Sequence, residues 1–149
     1  MIKEIGEDQE MLTKLIPNQI IFYQDVIKET IEKSIPHYSE QNKTKLFTEL
    51  MMDKAQVWLS ELDGKFDGIL ITTIRDGIDI GITTLTCLAV FAPNGTEEKS
   101  FKEGFPTLVK FAKLNECKRI DFYSGNPELI KYARLFNIIW ETTYFQLAI

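Results

Sequence analysis

The chain has 149 residues, 44% hydrophobic and 26% charged, which is enough for one domain with a sizeable core and ordinary for a soluble globular protein. Its net charge is −5 and it carries no block of Lys or Arg. That balance argues against a dedicated nucleic-acid or anionic-membrane binder, while leaving room for a local basic cleft.

No apolar run reaches 18 residues, so no transmembrane helix is expected. The start, MIKEIGEDQE, is acidic and lacks the apolar core of a signal peptide. Cys87 sits inside an apolar run and Cys117 just before one, which reads as two buried free thiols in a reducing compartment. His37 is the single histidine and no Cys-x-x-Cys occurs, so no metal site is expected.

In chain order, Ile20, Ile21, Tyr23, Val26, Ile27 and Ile31 recur at three- and four-residue steps and predict a helix that begins at Pro17-Asn18 and ends at Pro36. The whole N-terminal third reads as helical, with a second helix over Lys43 to Asp53. The period then changes. Val57-Trp58-Leu59 leads to Asp63-Gly64, a hairpin signal, and a second Asp-Gly stands at Asp76-Gly77. Three antiparallel strands, the last running toward Phe91, form a meander. Met51-Met52 reads as core filler, and Trp58 and Trp140 as core or interface anchors.

The run Leu85 to Phe91 breaks at Ala92-Pro93-Asn94-Gly95, and a helix-like segment opens behind it. Strand, glycine turn and helix start form the frame of a phosphate site. Residues 97–116 predict a helix with Phe101, Phe105, Leu108, Val109, Phe111, Ala112 and Leu114 as its apolar set and a kink at Pro106, or one that begins near Phe105 with Pro106 in its first turn. A strand over Arg119 to Tyr123, a turn at Ser124 to Pro127, a helix over Glu128 to Phe136 stopped by Asn137, and a last strand over Ile138 to Ile149 complete the order. No repeat or linker divides the chain, so residues 1–149 read as a single domain.

This order resembles the GNAT acetyltransferase superfamily over about Gln56 to Ile149, and the small GNAT-like proteins encoded by bacteriophages most of all. KAQVWLSELDGKFDGILITTI (Lys54 to Ile74) is similar to their first hairpin. FAKLNECKRIDFY (Phe111 to Tyr123) stands where they carry an "EYAKxxGC" helix end and strand, and Ser124-Gly125-Asn126-Pro127 stands at their Arg-Pro-Gly turn. The resemblance implies an α/β (α+β) fold with a mixed, mostly antiparallel central sheet and helices on both faces.

The resemblance also implies acetyl-CoA in a gap between two splayed strands. Leu88, Ala89 and Val90 would offer backbone groups to its pantetheine arm, and Asn94, Gly95 and Lys99 would meet its pyrophosphate. The family's loop has the form Arg/Gln-x-x-Gly-x-Gly/Ala. Here Gly95 alone remains of the small residues, Pro93 lacks an N–H, and Glu97 and Glu98 place carboxylates at the helix start. Acidic residues there stabilise an empty helix N-terminus by roughly 0.3–1 kcal/mol each and repel a pyrophosphate. Lys99 and Lys102 could partly restore the site.

For the proton donor to the leaving thiolate, the family's tyrosine falls at Ala133. Tyr132, about 100° round the helix axis, is the candidate. Glu61 and Asp79 are weak candidates for a base, and His37, Tyr123 and Tyr144 read as incidental or structural.

Three readings follow from this. The first expectation is a degenerate GNAT-fold protein without standard acetyl-CoA chemistry, serving as a structural or interaction component of a phage virion (neck, tail or internal protein). It would be located in the virion or host cytoplasm, with virion or host proteins or its own copies as partners and no cofactor. The alternative is an acetyl-CoA-dependent N-acetyltransferase acting on an amine of a small molecule or protein. The third is an inhibitor that binds a host protein. A docking edge is expected at Thr142 to Ile149, and neither nucleic acid nor membrane is expected as a partner.

Overall fold

A computed structural model describes residues 12–35, 38–76, 81–95, 98–122, 127–135 and 147–148. The Asp63-Gly64 signal becomes the tight turn between β2 (Ala55–Leu62) and β3 (Lys65–Asp76). Both turn residues have positive φ, 53° and 75°, which suits Asp-Gly and matches the twist of the flanking strands. β4 (Thr83–Phe91) pairs antiparallel with β3, as the meander predicts.

The sheet order is β1-β2-β3-β4-β5, where β5 (Arg119–Phe122) lies parallel to β4 and β1 (Leu12–Lys14) antiparallel to β2. The strand β1 corrects the all-helical reading of the N-terminal third. Three residues are too few to show a period of two, and their conformation comes from pairing with Trp58 to Ser60.

Helices cover both faces. On the first, α1 (Pro17–Ile20), a short 3-10 turn (Ile21–Tyr23), α2 (Gln24–Ser34) and α3 (Glu40–Met51) bury Ile20, Ile27, Ile31, Leu46 and Leu50 against Val57, Ile69, Ile71 and Ala89. On the second, α4 (Glu98–Leu114) buries Leu108 and Ala112 against Trp58, Leu70, Leu85 and Cys87. Neighbours such as Val57 and Trp58 therefore serve opposite layers, as strand alternation requires. A last helix, α5 (Pro127–Ala133), packs against α4.

Two expectations are corrected, and a third is decided between alternatives. Helix α3 starts earlier than Lys43, at Glu40, because the Ser39 side chain caps it by accepting the Asn42 N–H at 3.1 Å. Met51 and Met52 are exposed rather than core filler, since Leu46 and Leu50 already fill the inward stripe. Of the two readings of residues 97–116 the longer helix holds, since α4 starts at Glu98 and runs through Pro106. Pro106 and Lys102 face solvent, so water can take up the carbonyl that the proline leaves without a donor.

A buried polar relay crosses the second layer. Trp58 Nε1–H donates to Thr72 Oγ1 at 2.9 Å, and Thr72 Oγ1–H donates to Gln56 Oε1 at 2.8 Å. Thr72→Val keeps the shape and leaves both partners without a bond, so it should cost about 1–3 kcal/mol in urea unfolding. An unchanged midpoint would show that the relay contributes nothing to stability.

Candidate functional site

The site is built around the second half of β4. A register shift between Ile71 and Thr72 of β3 leaves Leu88 as an extra residue on β4. Leu88 and Ala89 consequently both pack on the first face, and Val90 returns to the second. The described β4–β5 pairing ends at Cys87 and Phe122, whereas β4 continues along β3 to Phe91.

Where that pairing ends, a pocket of about 90 Å³ opens on the second face, lined by Val90, Phe91, Ser100, Phe101, Phe105 and Phe122 among others. The rings of Phe101 and Phe105 stack at 5.7 Å, and Phe122 lies 5.9 Å from Phe101. Ser100 Oγ is buried with no hydrogen-bond partner, the one such side-chain atom among the described residues. Gly68 lines the same pocket. A Cβ there would stand 2.4 Å from the Phe91 carbonyl oxygen, so β3 approaches Phe91 closely only because residue 68 is glycine.

The turn beyond β4 has little hydrogen-bonding capacity left. The Gly95 N–H donates to the Ala92 carbonyl at 3.0 Å, and Gly95 adopts φ +84°. Pro93 has no N–H to offer. Lys99 Nζ lies 3.7 Å from Asp63 of the β2–β3 turn, and Lys102 Nζ lies 2.8 Å from Glu98. The Lys102 ammonium, with Lys131 adding, holds the Glu98 carboxyl below its ordinary range. Thr96 and Glu97 lie outside the described residues.

The expected site residues are therefore only partly gathered. Val90 reaches the pocket, and the hydroxyl of Ser34 donates to its carbonyl at 2.9 Å. Leu88 turns its side chain to the opposite face. Asn94, Gly95 and Lys99 sit at the rim turn. The half-buried ring of Tyr132 joins the aromatic group, 6.4 Å from Phe101. Glu61 is half-buried near the β2–β3 turn. His37, Asp79, Tyr123, Asn137, Trp140 and Tyr144 lie outside the described residues, as does the expected last strand except for Leu147 and Ala148, which are exposed. Ser100, Phe122 and Gly68 were not anticipated as pocket residues. The one signal was the four-residue step from Phe101 to Phe105, which read as packing.

No protein-family model and no curated protein sequence matches the chain. Solved structures do. A probable acetyltransferase superposes with TM-score 0.66 at 11% identity, covering 93% of this chain and 97% of its own. A predicted acetyltransferase from Clostridium acetobutylicum, solved with acetyl-CoA, superposes with TM-score 0.65 at 12% identity, covering 92% and 94%. AAC(6')-Iy in complex with a CoA-containing bisubstrate analogue superposes with TM-score 0.64 at 10% identity, covering 93% and 97%.

The chain has the GNAT fold.

Identity at this level speaks for the fold alone. It nevertheless corrects the expectation of a virion structural component without a cofactor. The three structures above are described as acetyltransferases, two of them only as probable or predicted ones, and two of the three hold acetyl-CoA or a CoA-containing analogue. The rim turn by itself points away from a cofactor, whereas the apolar slot on the second face forms only on tertiary packing and is invisible in sequence. Among the described residues, no helix is long and apolar enough to cross a membrane.

Both cysteines are free and buried, as expected. Burial pushes the Cys87 thiol far above the ordinary thiol range, with the Asp121 carboxylate adding to the shift. A raised pKa keeps the thiol neutral and unreactive through the physiological range. Cys87 should therefore resist alkylation at about pH 8 in the native protein and react fully in denaturant. Rapid native labelling of Cys87 by mass spectrometry would refute this placement.

Proposed function

We propose that the protein is an acetyl-CoA-dependent N-acetyltransferase acting on an amine of a small molecule or protein. The observation that carries this reading is the apolar slot beside the second half of β4, with a buried, unpartnered Ser100 hydroxyl lining it. An orphaned buried hydroxyl costs free energy unless a ligand supplies its partner. The slot suits a narrow, largely apolar arm carrying amide groups. The rim turn suits a pyrophosphate less well, because its N–H groups are spent or missing and its lysines are shared with Asp63 and Glu98.

Acetyl-CoA, when bound, supplies an activated acetyl thioester. Leu88 and Val90 would align the arm through backbone groups, with Ser100 as a further polar contact. Phe101, Phe105 and Phe122 would exclude water from the reacting carbonyl. Tyr132 would hold the proton that the departing thiolate needs, at its phenol oxygen. Lys99 and Lys102 would exchange their carboxylate partners for phosphate oxygens at the rim. An acidic chain also favours a cationic amine as acceptor. Among the matched structures is an aminoglycoside acetyltransferase in complex with sisomicin, and an aminoglycoside is one such polyamine to try.

Calorimetric titration with acetyl-CoA, with CoA as control, should give a Kd below about 100 μM. Ser100→Leu fills the slot and removes an unpaired hydroxyl. It should weaken binding at least about tenfold without lowering Tm. No heat of binding at ~1 mM acetyl-CoA would overturn the proposal.

Tyr132→Phe should lower kcat for acetylation of a polyamine panel by about a hundredfold while leaving the acetyl-CoA Kd unchanged. An unaltered kcat would remove Tyr132 from the chemistry and leave it as a packing ring.

A further inference from the structure

The lining of the slot is apolar but for three side chains, Ser60, Asp67 and Ser100. Trp58 packs on the second face, so Ser60, two residues further along β2, points the same way. The Ser60 hydroxyl donates to Asp67 Oδ2 at 3.4 Å and so keeps that carboxylate on the slot's side of the sheet. This long bond is the one that the half-buried Asp67 side chain makes among the described residues, and it enters no ion pair there.

A hydrocarbon occupant would leave the Asp67 carboxylate and the Ser100 hydroxyl facing it without partners. Asp67 accepts and Ser100 can donate. A secondary amide answers both, with its N–H and its carbonyl. The pocket of about 90 Å³ equals roughly three water volumes, room for an amide group and an adjoining carbon.

The rim turn is the reverse case. The Gly95 N–H is spent on Ala92, Pro93 has none, and Lys99 and Lys102 are paired with Asp63 and Glu98. A third carboxylate stands close, since a Cβ built on Gly95 would lie 3.9 Å from Glu128 Oε2. A phosphate oxygen bound by these lysines replaces an ion pair instead of adding one. It also meets Asp63, Glu98 and Glu128 as like charges, so the net gain is small.

Resting on the acetyltransferase reading above, we propose that the protein recognises its acyl donor by the amide-bearing pantetheine arm and takes little affinity from the nucleotide head. Asp67 accepts from an amide N–H of the arm, and Ser100 donates to an amide carbonyl. A donor with the same arm and a different head is then bound nearly as well.

The test titrates the full chain by calorimetry with CoA, pantetheine and adenosine 3′,5′-bisphosphate. Pantetheine should bind within about fivefold of CoA, and the bisphosphate should not saturate at ~10 mM. Raising NaCl from ~50 to ~300 mM should change the CoA Kd by less than about threefold. Asp67→Leu should weaken pantetheine and CoA alike, at least about fivefold, and Asp67→Asn, whose side-chain oxygen still accepts, should restore most of the loss. The ligand comparison uses the unaltered chain, so it decides the matter even if Asp67→Leu does not fold. Pantetheine bound more than about fivefold weaker than CoA, or saturable binding of the bisphosphate, would overturn the proposal and leave the acetyltransferase reading in place. Unchanged pantetheine binding in folded Asp67→Leu would do the same. Absence of binding by both CoA and pantetheine would remove the reading and the proposal together.

Discussion

Everything in this molecule is organised by a strand whose two edges have different partners. β4 is antiparallel to β3 along its whole length and parallel to β5 for part of it. A parallel partner requires a crossover, which α4 supplies, and that crossover delivers Phe101 and Phe105 to the second face. The bulge at Leu88 then rotates Val90 back toward that face. Slot, aromatic wall and rim turn all gather round the second half of β4.

Both faces of β4 are covered, so its residues cannot drift without disturbing two cores. Ala89 is held by the α2 and α3 layer, and Leu85 and Cys87 by the α4 layer. Ser34 reaches across from α2 to the Val90 carbonyl. A site mounted on such a strand is rigid, which suits a reaction that depends on holding one carbonyl and one amine in line. The rim is the solvent-facing part, where Lys99 lies 3.7 Å from Asp63 and Lys102 lies 2.8 Å from Glu98.

Charge is unevenly placed. The net balance is acidic, yet Lys45, Lys54 and Arg75, which form no ion pair among the described residues, gather at one end of the sheet. The relay from Trp58 through Thr72 to Gln56 ties β2 to β3 within the second layer. Buried polar groups of this kind constrain a fold, because reversing any one of them leaves another unsatisfied.

The sequence by itself determined the meander, since Asp63-Gly64 and the change from a 3.6 to a 2.0 period are local properties of the chain. It also determined the burial of both cysteines and the inward faces of α2 and α4, which follow from apolar spacing. Tertiary structure alone decided the strand β1, the start of α4, the exposure of Met51 and Met52, and the bulge at Leu88, because each depends on partners distant along the chain. The site divides the same way. The poverty of the rim turn in free N–H groups could be read from Pro93 and the acidic helix start. The slot that outweighs it could not, because Gly68, Val90, Ser100 and Phe122 come together only when four separate elements pack.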